Sequence, residues 1–317
     1  MGYPYYTSRF RELTRVGHTP VYQLKIDSVR APFFFVSGLA IDADGAPNAY
    51  APLSLAGATP LDELKHACSH PSHPERGSCW GIYKNHDGTV PTQTLGAIKI
   101  PIPPVGKTPR PPISFPVPAL DDPYPGYFIS TTSLVDSSVP EEPAKPKRYV
   151  DATVIPYIAL QGPGDKPGPF GITGLRIGDL AMVINGDTGK YSFAIYADWK
   201  SGVGEGSVAL AKALGLNSSA ANGGADDDIL TIVFPGSGAG QGTIPSVGSI
   251  AISGLKQLTD WGARQSKGLV ATSLDLALPY HWERWYLSRL LGFEPVTAPP
   301  GDPTAQDEID SVFATDE

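Results

Sequence analysis

The stretch GDLAMVINGDTGKYSFAIYADWKSGVGEGSVALAKALG, Gly178 to Gly215, holds the most structural instruction in this chain. GDLAMVIN (178–185) and YSFAIYAD (191–198) are rich in β-branched and aromatic residues and read as two strands. Asn185-Gly186 and Gly189 supply the turn between them. Asp198 ends the second strand, Trp199 to Gly204 bends, and Glu205-Gly206-Ser207 opens VALAKALGL, whose Ala, Leu and Lys favour helix until Gly215 stops it. One carboxylate thus stands at a strand end and another, seven residues on, at a helix start. Two acids on such a bend can be a cap and a solvated charge, or the pair that glycoside hydrolysis needs, one protonating the leaving oxygen and one activating water. A phosphate-binding loop is excluded at Gly189-Lys190, because Ile184 and Tyr191 stand where that motif needs Gly and Ser or Thr.

Working outward, VYQLKIDSV (21–29), FFFVSGLAID (33–42), VDATVIPYIAL (150–160) and ILTIVFP (229–235) add strands, and GYFISTTSL (126–134) is strand-like. TPLDELKHA (59–67), with Thr59 before Pro60, predicts a short helix. Asp42-Ala43-Asp44-Gly45 resembles part of a calcium loop, but Ala51 stands where the bidentate Glu belongs, so a solvated turn is expected. Ser130, Thr131, Thr132 and Asp151 are either ligand contacts or ordinary strand residues, and Asn217 to Asp228 reads as an acidic loop. Prolines every two or three residues from Pro101 to Pro125 forbid helix and central strand alike.

The 35 Gly and 33 Pro are about a fifth of the 317 residues, against roughly 12% on average, which argues for many turns between short strands. The net charge of −8 sits mostly in Asp302–Glu317, which has six acids and no Lys or Arg, so the body is nearly neutral. No basic stripe suggests nucleic acid, and no run approaches the roughly 18 apolar residues of a spanning helix. Cys68 and Cys79 enclose His70 and His73; a disulfide, a zinc site and free thiols all fit that loop. Trp80 beyond it is a sugar-stacking or a core aromatic.

SGLAIDADGAPNAY (37–50), GYFISTTSL, RYVDATVIPYIAL, GDLAMVING with TGK, FAIYAD, GEGSVALAKALG and IVFPGSG occur in an order that resembles the fungal-type chitosanases of glycoside hydrolase family 75, over roughly residues 33 to 240. The resemblance implies an essential Asp and Glu, here Asp198 and Glu205, and an endo-acting, inverting reaction with carboxyls roughly 6.5–9.5 Å apart. A fainter likeness is to double-psi β-barrels of the RlpA and family 45 cellulase kind, whose corresponding helix opens with an Asp that is the catalytic acid. Glu205, ten residues before the Gly of Leu214-Gly215, takes that position, which implies Glu205 as acid and Asp198 as base. Trp199-Lys200-Ser201 departs from the Val-Gly-Pro-like turn of the chitosanases.

The expectation is a mainly β protein with a six-stranded double-psi β-barrel core. An arm spans 1–20, the catalytic barrel 21–245, a helical extension 246–295 and an acidic mobile tail 296–317. The expected substrate is chitosan, a cationic polysaccharide, bound by Asp42, Asp151, Thr131, Thr132, Trp80, Trp199 and Tyr157. No cofactor, metal, nucleic acid or membrane is expected, and the protein is read as a monomer acting outside the producing cell, although the chain shows no secretory signal. The alternatives are a peptidoglycan-cleaving enzyme of a delivered antibacterial effector and an expansin-like protein that binds carbohydrate without cutting it.

Overall fold

The computed structural model describes residues 10–24, 30–52, 55–67, 95, 97–100, 113–120, 123–141, 145–162 and 170–266. The Cys68–Cys79 loop, Trp80 and the chain beyond residue 266 lie outside them.

In chain order the strands are β1 (Phe10–Val16), β2 (Thr19–Leu24), β3 (Phe33–Asp42), β4 (Ala97–Ile100), β5 (Ile113–Pro116), β6 (Tyr157–Gln161), β7 (Leu180–Asn185), β8 (Tyr191–Lys200), β9 (Glu205–Ser207) and β10 (Ala225–Phe234). The helices are α1 (Leu64–Ala67), α2 (Val208–Ala213) and α3 (Val247–Ser266). Six strands close a ring in the order β3-β10-β7-β8-β6-β9 and back to β3. The β8–β6 and β9–β3 pairings are parallel and the other four antiparallel. The expected six-stranded barrel is therefore present, in a mainly β protein.

β3 makes the closure possible. It is ten residues long, enough to offer Phe34 to Tyr22 of β2 and Ala40, Ile41 and Asp42 to β9. β7 reads as an apolar run from Leu180 to Ile184 because every residue in it is buried. Leu39, Ile158, Leu160, Met182, Ile184, Ile195 and Leu230 belong to the continuous core. The β7–β8 turn follows the sequence reading: Gly189 has φ +77° and its N–H donates to the Asn185 carbonyl at 2.9 Å. The Asn185 side chain in turn donates to the Leu214 carbonyl at 2.9 Å, tying the hairpin to the end of α2.

α3 packs on β7 and β8. Ile250, Leu258 and Trp261 are buried, Trp261 meets Phe234 edge-on at 6.4 Å, and Gly254 lets the helix lie against Phe193, where a Cβ would sit 2.3 Å from the ring.

Several local expectations are corrected. α1 starts at Leu64, because the Leu61 and Asp62 N–H groups donate to the Asn48 and Ala49 carbonyls rather than entering a helix. Tyr127–Leu134 is a wrapping segment held by isolated bridges such as Tyr50 with Phe128. β8 continues through Trp199 and Lys200, which were read as turn. Asp226–Asp228, read as loop, start β10 around an irregularity at which Asp228 takes φ +63°. The segment read as an arm forms, from Phe10 onward, a hairpin with the following strand, which meets β3 through Tyr22 and Phe34.

Candidate active site

Asp198 owes its direction to a β-bulge. Ile158 of β6 stands opposite Tyr196 and Ala159 opposite Asp198, so Ala197 is an extra residue in β8. A one-residue slip moves a side chain to the other face of a sheet, so without the bulge Ala197 would face Ala159 and Asp198 would point away. The segment Ser133-Leu134 docks on this irregularity. Leu134 N–H donates to the Ala197 carbonyl at 2.8 Å. Ser133 donates to Asp198 Oδ1 from both its N–H, at 2.9 Å, and its Oγ, at 2.5 Å, and Trp199 N–H reaches the same oxygen at 2.8 Å. Burial pushes the Asp198 carboxyl up to about 6, outweighing these hydrogen bonds, which favour the charged form.

Glu205 does not open a helix, as the sequence suggested; it begins β9. The helix starts at Val208, with Ser207 as N-cap accepting from Leu210 N–H at 3.1 Å. β9 is caught between two strands: Glu205 stands opposite Ala40 of β3 and Ala159 of β6. Gly204 feeds it with φ +81°, where a Cβ would lie 2.5 Å from the Gly38 carbonyl oxygen. Ala40, on the same face as Glu205, is exposed, whereas Leu39 and Ile41 point into the core. The Glu205 carboxylate forms an ion pair with Lys200 Nζ at 2.7 Å, each side chain about a quarter exposed.

Asp42 ends β3 opposite Ser207 and therefore shares the face of Glu205. It is buried, and its Oδ1 accepts Asp44 N–H at 2.8 Å. Asp44, in a stretch read as a solvated turn, is also buried, its Oδ1 accepting from Tyr50 OH at 2.8 Å and Ser130 Oγ at 3.2 Å. Gly45 explains the difference: with φ +80° and space for a Cβ only 2.0 Å from the Val150 carbonyl oxygen, the turn is packed under the 150s segment. Desolvation holds Asp42 and Asp44 well above the usual carboxylate range, and nearby charges, Glu205 and Asp198 on Asp42 and chiefly Asp42 on Asp44, push the same way.

Oxygens of Asp42, Asp44 and Asp198 lie within 4.8 Å of one another. A divalent cation uses oxygen donors of this kind. Here Oδ1 of each is engaged by tyrosine, serine or backbone donors, and burial and mutual repulsion favour the protonated forms of this acidic cluster.

The remaining candidates divide. Tyr157 is wholly buried and donates its hydroxyl to the Asp44 carbonyl at 2.9 Å, so it supports the cluster from behind. Thr132 is buried too, donating to the Leu134 carbonyl at 2.7 Å and accepting Val150 N–H at 3.0 Å. Thr131 is half-buried. Asp151 takes the Thr153 N–H and Oγ1 at 2.8 and 2.7 Å, which closes its own turn. Trp199 leaves 54% of its surface open while its indole lies over Gly162, where a Cβ would come within 2.7 Å of the ring. Beside it a pocket of ≈ 420 Å³ is lined by Phe170, Arg176, Tyr196 and Gln241 among others. Sequence reading missed Asp44, Ser133 and Lys200; the Asp-x-Asp-Gly spacing at the end of β3 was the one signal available for Asp44.

Residues 131–252 match the family of fungal chitosanases of glycosyl hydrolase group 75. The resemblance read from the sequence is borne out over that segment, which holds Ser133, Asp198, Lys200 and Glu205. Asp42 and Asp44 lie outside the matched segment, yet the barrel brings them to the same face. The match over that segment supports a glycoside hydrolase reading of the site. No curated protein matches the chain.

Proposed function

We propose that the protein is an endo-chitosanase that hydrolyses β-1,4 bonds between glucosamine units with inversion, Glu205 protonating the leaving oxygen and Asp198 activating water. The observation that carries this reading is the common partner of the two acids. Asp198 and Glu205 both stand opposite Ala159, one on each side of β6. Their Cα atoms are therefore two strand spacings apart, about 9–10 Å. Both side chains stand on the face of Ala159, so the two carboxyls reach one surface from opposite strands, the placement that acid–base cleavage of a glycosidic bond requires. A base poised near 6 is ionised at neutral pH and still accepts a proton readily.

Lys200 is part of the mechanism in this reading. Glu205 must be protonated to act as donor, so its ion pair with Lys200 has to open when substrate arrives. Trp199 offers its open indole face to a sugar ring. The group 75 match supports a polysaccharide substrate, and such a polymer fits an enzyme that acts outside the producing cell.

The test is the digestion of a defined glucosamine oligomer, followed by NMR of the nascent products. Release of the α-anomer from an internal bond is expected. The β-anomer would overturn inversion, and tight binding without new reducing ends would favour the expansin-like alternative. Solubilisation of purified sacculi with chitosan left intact would favour peptidoglycan cleavage.

A further inference from the structure

We propose that Ser133 is the positioning residue of Asp198, fixing Oδ1 as a saturated acceptor and leaving Oδ2 as the oxygen that exchanges a proton with water. This rests on the reading of Asp198 as catalytic and extends it to a residue on a different segment.

Three donors converge on Oδ1: Ser133 N–H, Ser133 Oγ–H and Trp199 N–H. The two N–H groups cannot turn round to accept, so a proton placed on Oδ1 would compete with the three donors for its lone pairs. Oδ2 carries the exchangeable proton. Two of the three donors come from one serine, and that serine is itself held on both sides. Its carbonyl accepts Gln241 Nε2 at 2.6 Å, and Gln241 Oε1 accepts Val135 N–H at 3.4 Å. Thr132 Oγ1 bridges the Leu134 carbonyl and Val150 N–H, and Leu134 N–H is bonded to the bulge residue Ala197. The strap Thr132–Leu134 is thus keyed to the bulge that aims Asp198, and the wholly buried Leu134 anchors it.

The ionisable groups facing Asp198 are Glu205 of β9, Asp42 and Asp44 at the end of β3, Tyr157 of β6 and Tyr196 of β8, with Lys200 reaching the group through Glu205. Replacing the Ser133 hydroxyl leaves all of them in place. It removes a hydrogen bond that holds the Asp198 carboxyl down against burial, so the limb of the pH–rate profile set by Asp198 moves to higher pH.

The experiment measures kcat and KM for a glucosamine oligomer across pH with the full chain carrying Ser133→Ala, Ser133→Thr and, separately, Asp198→Asn. Ser133→Ala is expected to lower kcat about ten- to a hundredfold, the effect of one hydrogen bond to a charged group, with KM little changed and the limb shifted upward. Ser133→Thr, which keeps the hydroxyl, is expected to restore both. Should the alanine variant not fold, Ser133→Cys, a poorer donor of similar size, takes its place. Wild-type kcat and pH limbs in Ser133→Ala, or equal impairment in the alanine and threonine variants, overturn the inference. An inactive Asp198→Asn beside a wild-type-like Ser133→Ala overturns this inference alone. An active Asp198→Asn overturns the reading of the site as well.

Discussion

Asp198 and Glu205, seven residues apart in the chain, face each other across a single residue, Ala159, from the two strands that flank it. The arrangement needs three independent conditions: a bulge at Ala197, a parallel β6–β8 pairing and an antiparallel β6–β9 pairing. Each acid is held by its own element, so the distance between them is set by the sheet and not by the loop that joins them.

The first expectation is loss of turnover without loss of fold. Glu205→Gln and Asp198→Asn are each expected to reduce kcat on chitosan by about 10²- to 10⁴-fold, the usual contribution of a positioned acid or base. Near-ultraviolet circular dichroism should be unchanged. Retained activity in either variant would remove that residue from the mechanism.

The buried acids make stability and chemistry pull in opposite directions. A carboxyl whose pKa is raised by folding binds its proton more tightly in the folded state, so it favours folding at low pH. That advantage is lost as pH rises through the unfolded value near 3.8 and on to about 6 for Asp198, with Asp42 and Asp44 acting in the same direction. Asp42→Asn removes one such group. Its Tm is expected to gain on wild type as pH goes from about 4 to 8, while activity falls. Parallel Tm curves for the two proteins would show that Asp42 does not carry the strain.

Trp199 is expected to matter for binding more than for bond cleavage. Trp199→Ala leaves the Asp198 hydrogen bond from residue 199 intact, because that donor is a backbone N–H. A loss of about 0.5–1.5 kcal/mol of stacking corresponds to a rise in KM of roughly two- to tenfold with kcat nearly constant. A kcat effect with unchanged KM would instead mean that the indole shapes the reacting centre.

Gly204→Ala tests how tightly Glu205 is delivered. The substitution meets both a left-handed backbone and a carbonyl oxygen 2.5 Å from the new Cβ. Destabilisation of about 2 kcal/mol or more is expected, read from urea unfolding, together with lost activity. A variant of wild-type stability would show that the approach to Gly38 relaxes without cost.

Asp198 could be placed at a strand end because the strand-turn-strand pattern of residues 178–198 is local, and Glu205 was singled out only through the resemblance, by its distance from Leu214-Gly215. The strands were legible through the same local pattern, in runs such as LAMVIN, while the six-stranded barrel came from the likeness to double-psi β-barrels. What escaped was non-local. The bulge at Ala197 exists only in relation to β6, thirty-odd residues earlier, and nothing in Tyr-Ala-Asp-Trp announces it. Asp44 looked solvated because an Asp-Gly turn usually is; its burial comes from Val150 and Thr132 closing over Gly45. Lys200 looked like turn, since β8 outlasts its apolar run by two residues. Ser133 was one hydroxyl among four neighbours, and only the docking of its segment on β8 singles it out.

β9 is three residues long, yet it is the seam at which the ring is sewn shut, and Glu205 is the first stitch. A chain that has built the β3, β10, β7 and β8 staves but has not captured β9 between β3 and β6 possesses most of its secondary structure and none of its acid pair. Activity therefore reports completion of the fold. On heating, the seam is the cheapest place to part, so catalytic competence is expected to vanish before the far-ultraviolet signal does.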